Sequence, residues 1–180
     1  MVSGEERVME RVAPRVVLIG PPGAGKSTVG RLLAERWGVD LVDTDAEVES
    51  ATGRSISDIF VEDGEPAFRA LEVEAVRAAV QRPGVVALGG GAPMQEPVQQ
   101  LVADLPVVLL EVGIADAAPR IGFDRSRPLL SVNPRAQWSR LMEQRRPTYA
   151  RLADVVVDTS GRSADEVATA VAAALEGGAP

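Results

Sequence analysis

Gly20-Pro21-Pro22-Gly23-Ala24-Gly25-Lys26-Ser27 has the spacing G-x-x-x-x-G-K-[ST], followed by Thr28. Glycines at these positions allow successive backbone N–H groups to turn inward and wrap a phosphate, and a helix starting there adds its partial positive charge. Lys26 can then bridge the β- and γ-phosphates, and Ser27 can ligate Mg²⁺. A plain glycine turn opening a helix would also fit the spacing. The choice of cation argues against that, because Lys26 is the sole lysine among 19 lysines and arginines. Lysine stands where a compact point charge suits a phosphate loop better than a planar fork.

Asp43 and Asp45 follow next. On an extended strand, carboxylates at i and i+2 point the same way. One could hold Mg²⁺ through water, and the other could bind a substrate hydroxyl and accept its proton. A solvated turn with Asp45 as a helix cap is the plainer alternative. Arg69 and Glu72 are i,i+3 neighbours at the edge of an apolar stripe. They form either a surface ion pair or a guanidinium aimed at a substrate carboxylate and held by Glu72. Gly89, Gly90 and Gly91 offer side-chain-free backbone to a close ligand, or a tight turn. Arg120, Arg125 and Arg127 flank or occupy an aperiodic stretch that could close over a nucleotide. Trp138, Leu141, Met142, Arg145 and Tyr149 share one helical stripe, and Arg146 borders it. An arginine there meets either a protein carboxylate or a ligand.

Composition narrows the chemistry. The 180 residues contain neither cysteine nor histidine, so disulfides, thiolate metal sites and imidazole bases are absent. A proton acceptor must be a carboxylate, Tyr149, Lys26 or water, and a metal must be a hard cation taking oxygen ligands. A net charge of −7 argues against sequence-independent nucleic-acid binding. No apolar run reaches the length of a membrane span, and residues 1–14 have no apolar segment of a secretory signal.

Elements that could position these residues alternate between short β-branched runs and longer helical stretches. Strands are expected at 15–20, 40–43, 85–88, 106–112 and 154–158. Helices are expected at 26–37, 45–52, 57–62, 65–82, 97–104, 114–121 and 134–152, the last bent or interrupted at Pro147. Ser55 or Ser57 could cap the third helix, and Ser163 with Glu166 opens a final one through a capping box. The pattern predicts a single α/β domain of three layers, doubly wound around a five-stranded parallel sheet. It spans residues 15–180 after a flexible extension, 1–14. In such folds ligands bind beyond the carboxyl ends of the strands, where these candidates fall.

The ordered motifs resemble those of the shikimate kinase family. They are the 23–30 segment, Asp43-Thr-Asp45, Thr52-Gly53, Phe68-Arg69-x-x-Glu72, Gly89-Gly-Gly91, Arg127-Pro-Leu-Leu130 and Arg146-Pro-x-Tyr149. The resemblance covers nearly the whole chain from Val16. It implies a P-loop kinase with a mobile lid at about 120–130. The implied reaction moves the ATP γ-phosphate to the 3-hydroxyl of shikimate, a step of aromatic amino acid biosynthesis through chorismate. It implies Mg²⁺ held by Ser27 and, through water, Asp43, and nucleotide contacts from Gly23, Ala24, Gly25, Lys26, Ser27, Thr28, Arg120, Arg127 and Arg162. Shikimate would meet Asp45 at its hydroxyls, Arg69 and Arg146 at its carboxylate, and the backbone of Gly89, Gly90 and Gly91. Lys26, Asp45 and Arg127 would serve catalysis. The expected protein is a cytoplasmic monomer whose partners are the small molecules ATP and shikimate, with no nucleic acid or membrane partner. Gluconate kinase is the nearest enzyme rival. An idle nucleotide-binding module on the same fold is the alternative of another class.

Overall fold

A computed structural model describes residues 12–121 and 133–177. Its sheet is built from short β-branched runs: β1 (Val16–Ile19), β2 (Leu41–Asp43), β3 (Val85–Ala87), β4 (Val107–Glu111) and β5 (Val155–Asp158). All pairings are parallel, in the order β2-β3-β1-β4-β5. β1 and β3 are buried throughout, because helices cover both faces of a parallel sheet.

The helices are α1 (Lys26–Trp37), α2 (Thr44–Thr52), α3 (Ile56–Glu62), α4 (Glu65–Ala79), α5 (Glu96–Val102), α6 (Ile114–Ile121), α7 (Pro134–Leu152) and α8 (Ala164–Gly177), with a 3₁₀ turn at Ala92–Met94. The connection leaving β1 runs past β3 to β2, whereas the one leaving β3 runs past β1 to β4. Right-handed crossovers therefore place α1 on one face, where it packs on α8, and the helices of the β3-to-β4 and β4-to-β5 connections on the other. The opposite departures open a crevice between the carboxyl ends of β1 and β3. The phosphate loop leaves β1 there, and the three glycines leave β3.

A large core cluster joins the sheet to its helices. A second, smaller one unites Val48, Ile59 and Phe68, so α2, α3 and α4 form their own packed corner beside the crevice. Phe60 extends this corner, its ring 4.8 Å from that of Phe68. Local chemistry sets the helix starts. Ser55, rather than Ser57, caps α3 by accepting from Asp58 N at 3.0 Å. The capping box opens α8, with Ser163 N donating to Glu166 Oε2 at 2.7 Å and Glu166 N donating to Ser163 Oγ at 3.2 Å.

Three expectations change. α7 runs unbroken through Pro147, since Pro147 and Glu143, whose carbonyl loses its usual donor, are both exposed to water. α4 stops at Ala79, three residues early, before the turn that delivers Gly84 to β3. α2 begins at Thr44, one residue early, and follows directly on β2, which ends at Asp43 as expected. Residues 1–11 lie outside the described range, and Val12, Ala13 and Pro14 enter β1 without regular structure.

Candidate active site

The phosphate loop takes its shape from left-handed backbone at Gly23 (φ 83°) and Gly25 (φ 87°), conformations costly for any residue with a Cβ. Gly25 is the N-cap of α1, so the first amides of that helix face the crevice. Lys26 Nζ donates to the carbonyls of Gly20 (2.8 Å) and Pro21 (3.1 Å), which hold the ammonium over its own loop. Ala24 is buried, while Ser27 and Thr28 are exposed at the helix start. Arg120, at the end of α6, reaches back to the loop: its Nη1 donates to Gly23 O at 3.2 Å and to Thr159 Oγ1 at 3.4 Å.

Ser27 Oγ and Asp43 Oδ2 form a short hydrogen bond. The other oxygen of Asp43 caps α2, accepting from Asp45 N (3.0 Å) and Ala46 N (3.3 Å). This corrects the carboxylate geometry expected from an extended strand. Asp43, not Asp45, is the cap, and Asp45 sits in the first turn of α2 with its side chain on the pocket. Two hard oxygen donors meeting at a phosphate-binding helix start suit Mg²⁺, which keeps waters and substrate phosphates among its ligands. Among the described residues no group of three or more acidic side chains could hold a metal without such help.

A pocket of about 650 Å³ opens beside the loop, between the α2–α3–α4 corner and α7. Ile56, Phe60 and Phe68 form an apolar wall, and Asp45, Glu49, Arg69, Glu72 and Arg145 supply the charges. Arg69 Nη1 donates to Glu72 Oε2 at 2.7 Å, and Nη2 donates to Glu65 Oε1 at 3.2 Å. Glu72 is only 1% exposed, so this is an anchored guanidinium and not a surface ion pair. Burial pushes the Glu72 carboxyl above its usual range; Arg69 opposes this, and the charge of Asp45 adds to it. Burial works against a charged Arg69, yet the charge and hydrogen bond of Glu72 outweigh it and raise its pKa.

The glycine turn is wedged among these groups. A Cβ at Gly89 would lie 2.8 Å from Glu72 Oε1 and 3.1 Å from Asp45 Cγ, and one at Gly91 would lie 2.7 Å from Arg69 Cζ. Only backbone fits there, and it is pinned at two points. Gly89 N donates to buried Thr44 Oγ1 at 3.0 Å, and Tyr149 OH donates to Gly90 O at 2.5 Å. Burial raises the Tyr149 pKa, which keeps this donor protonated.

One predicted residue is misplaced by a single position. Arg146 is exposed and borders a separate small cavity with Pro21, Glu111 and Tyr149. Arg145 lines the main pocket instead, its Nη1 3.4 Å from where a Gly90 Cβ would sit. The stripe Trp138–Leu141–Met142–Arg145–Tyr149 carried this signal, since Arg146 is a further 100° around α7. Arg162 donates to Asp158 O at the end of β5 (3.1 Å) and to Glu166 O in the first turn of α8 (3.5 Å). The expected lid, with Arg125 and Arg127, lies outside the described residues apart from Arg120 and Ile121. Sequence reasoning missed Trp138, whose indole lines the pocket while Nε1 donates to Pro22 O at 3.3 Å. It also missed Gln95, which donates to Glu72 Oε2 at 2.8 Å and whose type and spacing carried no signal.

A parallel sheet with a phosphate loop at its switch point, next to a pocket that pairs arginines with an aspartate, defines a P-loop kinase for a small anionic acceptor. The shikimate kinase family model matches residues 22–176. The shikimate kinase of Thermobifida fusca is 56% identical over 163 residues, covering 90% of this chain and 95% of that protein. That of Streptomyces avermitilis is 52% identical over 164 residues, covering 91% and 96%. A shikimate kinase from Acinetobacter baumannii, solved in complex with shikimate, superposes with a TM-score of 0.88 at 34% identity, covering 93% of this chain and 95% of that one. The chain belongs to the shikimate kinase family, and it is an ATP-dependent phosphotransferase.

Proposed function

We propose that the protein transfers the γ-phosphoryl group of ATP to the 3-hydroxyl of shikimate, with Mg²⁺ bound to the nucleotide, giving shikimate 3-phosphate and ADP. The observation that carries this reading is the convergence of Asp45, Arg69 and Arg145 on one pocket beside the Lys26 loop. Shikimate presents one carboxylate and three hydroxyls, and forked guanidiniums suit the first as an aspartate suits the second. In this reading the substrate carboxylate lies between Arg69 and Arg145, and the ring rests on the apolar wall. Asp45 holds the reacting hydroxyl.

The bond between the γ-phosphorus and the β–γ bridging oxygen breaks, and a new one forms to the substrate oxygen. The hydroxyl proton passes to the Asp45 carboxylate, the acceptor available where histidine is absent. Mg²⁺ at Ser27 and Asp43 would neutralise phosphate charge. Lys26 and the loop amides balance charge on the transferring group, and the backbone of Gly89, Gly90 and Gly91 keeps the acceptor close. Arg127, outside the described residues, is assigned to the migrating phosphoryl group, so Arg127→Ala lowers kcat more than it weakens shikimate binding.

The protein acts as a cytoplasmic monomer supplying the chorismate route. Among the described residues no helix is long and apolar enough to cross a membrane. Phosphorus-coupled proton NMR of the product tests the regiochemistry: coupling to the proton on carbon 3 is expected, with activity lost on chelating Mg²⁺ and regained on adding it. Coupling at another ring position, or full activity in chelator, would overturn the proposal.

A further inference from the structure

Gln95 occupies the N-cap position of α5 and makes no side-chain cap hydrogen bond. That position favours short polar side chains that fold back onto the helix amides. Elsewhere among the described helices, polar residues at this position do so: Asp43 on α2, Ser55 on α3, Asn133 on α7 and Ser163 on α8. Gln95 instead turns its amide away from α5 and donates through Nε2 to Glu72 Oε2 at 2.8 Å. The same oxygen receives Arg69 Nη1 at 2.7 Å. A carboxylate accepts and does not donate, so the amide nitrogen must face it.

This arrangement breaks a local rule beside a site, where such breaks are expected. Backbone bonds fix the position of Gln95. Its N–H donates to Ala92 O and its carbonyl accepts from Gln99 N, each at 3.1 Å. The 3₁₀ turn Ala92–Met94 links it directly to the glycine turn. Gln95 thus ties the far end of that turn to the carboxylate that aims Arg69. Glu72 is otherwise faced by Arg69 on its own helix, whose other nitrogen Glu65 holds, by Asp45 on α2, and by Arg145 and Tyr149 on α7. Gln95 adds a neutral donor to a buried carboxylate that burial pushes toward the protonated form.

We infer that Gln95 is a positioning residue for the acceptor's carboxylate, acting through Glu72 to hold Arg69 ionically anchored and aimed into the pocket. It deepens the proposed function and rests on Arg69 binding that carboxylate.

Gln95→Ser is the direct test, because serine restores a helix cap while removing the reach to Glu72. Calorimetric titration of the full chain should show shikimate affinity falling roughly 3- to 10-fold, with ADP affinity unchanged and the melting temperature not lowered. The acid limb of kcat/KM for shikimate should move to higher pH, since Glu72 loses a donor that favours its charged form. A purely structural role would not move that limb. Gln95→Met, similar in length and without a donor, should repeat both effects should the serine variant fail to fold. Unchanged shikimate affinity and an unchanged acid limb in a folded variant would overturn the inference. Arg69→Ala separates the two levels: if it leaves shikimate binding intact, the underlying reading fails, and if it abolishes binding while Gln95→Ser changes nothing, only the role of Gln95 fails.

Discussion

Arg145 and Arg146 are adjacent in sequence yet differ sharply in their predicted roles, so truncating each in turn tests the site most sharply. Arg145 lines the pocket beside Gly90, while Arg146 is exposed on the next face of α7. Arg145→Ala removes a charge-assisted contact to the substrate carboxylate, which is typically about 1.5–3 kcal/mol. That corresponds to about a 10- to 150-fold weaker shikimate Kd. Burial keeps the Tyr149 phenol protonated, and removing Arg145, one of the two arginines that lower its pKa beside Arg69, only favours that form, so the bond to Gly90 should survive at neutral pH. ADP affinity should therefore change by less than about 2-fold, and Arg146→Ala should behave like an exposed substitution, within about 0.5 kcal/mol. Arg145→Lys should recover little, because a point charge cannot reproduce the bidentate fork. Separate calorimetric titrations of shikimate and ADP read all of these values. A loss in Arg146→Ala equal to or greater than that in Arg145→Ala would refute the assignment of α7's faces.

Lys26→Ala should abolish turnover with an unchanged melting temperature, and Lys26→Arg should remain poor because the loop encloses an ammonium; steady-state rates alongside thermal melts check both. Ile59→Ala empties the centre of the small α2–α3–α4 core, where Ile59 is fully buried, and should cost about 2–5 kcal/mol in denaturant unfolding while weakening shikimate binding more than ADP binding. Glu166 is held below its usual pKa of 4.5 first by the Ser163 backbone amide and then by its side chain. The stabilisation from its depressed pKa is therefore fully present above pH 4.5 and lost as pH falls through the lowered folded value. Amide exchange in the first turn of α8 should accelerate over that acid range, and Glu166→Ala should show fast exchange at every pH.

The alternation of strands and helices was legible because the strands are short apolar runs, with β1, β3 and most of β4 buried on both faces, and the helices carry apolar stripes. Boundaries near Asp43 and Ala79 were less so, since capping and the turn into β3 depend on contacts across the fold. The phosphate loop, Asp43, Asp45, Arg69 and the three glycines could be read from type and spacing, because each follows a strand or faces a stripe. Arg145 was visible in the stripe of α7 but displaced by a one-residue shift in matching the Arg-Pro motif, and on a helix one residue moves a side chain to another face. Arg162 entered only through the family resemblance; its bonds to the carbonyls of Asp158 and Glu166 are ones that side-chain patterns do not reveal. Gln95 and Trp138 were illegible for a related reason. Gln95 sits 23 residues from Glu72 and Trp138 116 from Pro22, so only the assembled crevice brings them together.

The central claim is that this pocket selects shikimate as the phosphoryl acceptor. A coupled ADP-release assay with shikimate, gluconate, AMP and no acceptor, each with ATP and Mg²⁺, tests it most directly. Rapid turnover with shikimate and near-background release with the other three are expected; equal or faster turnover with gluconate or AMP, or release indifferent to any acceptor, would overturn the assignment.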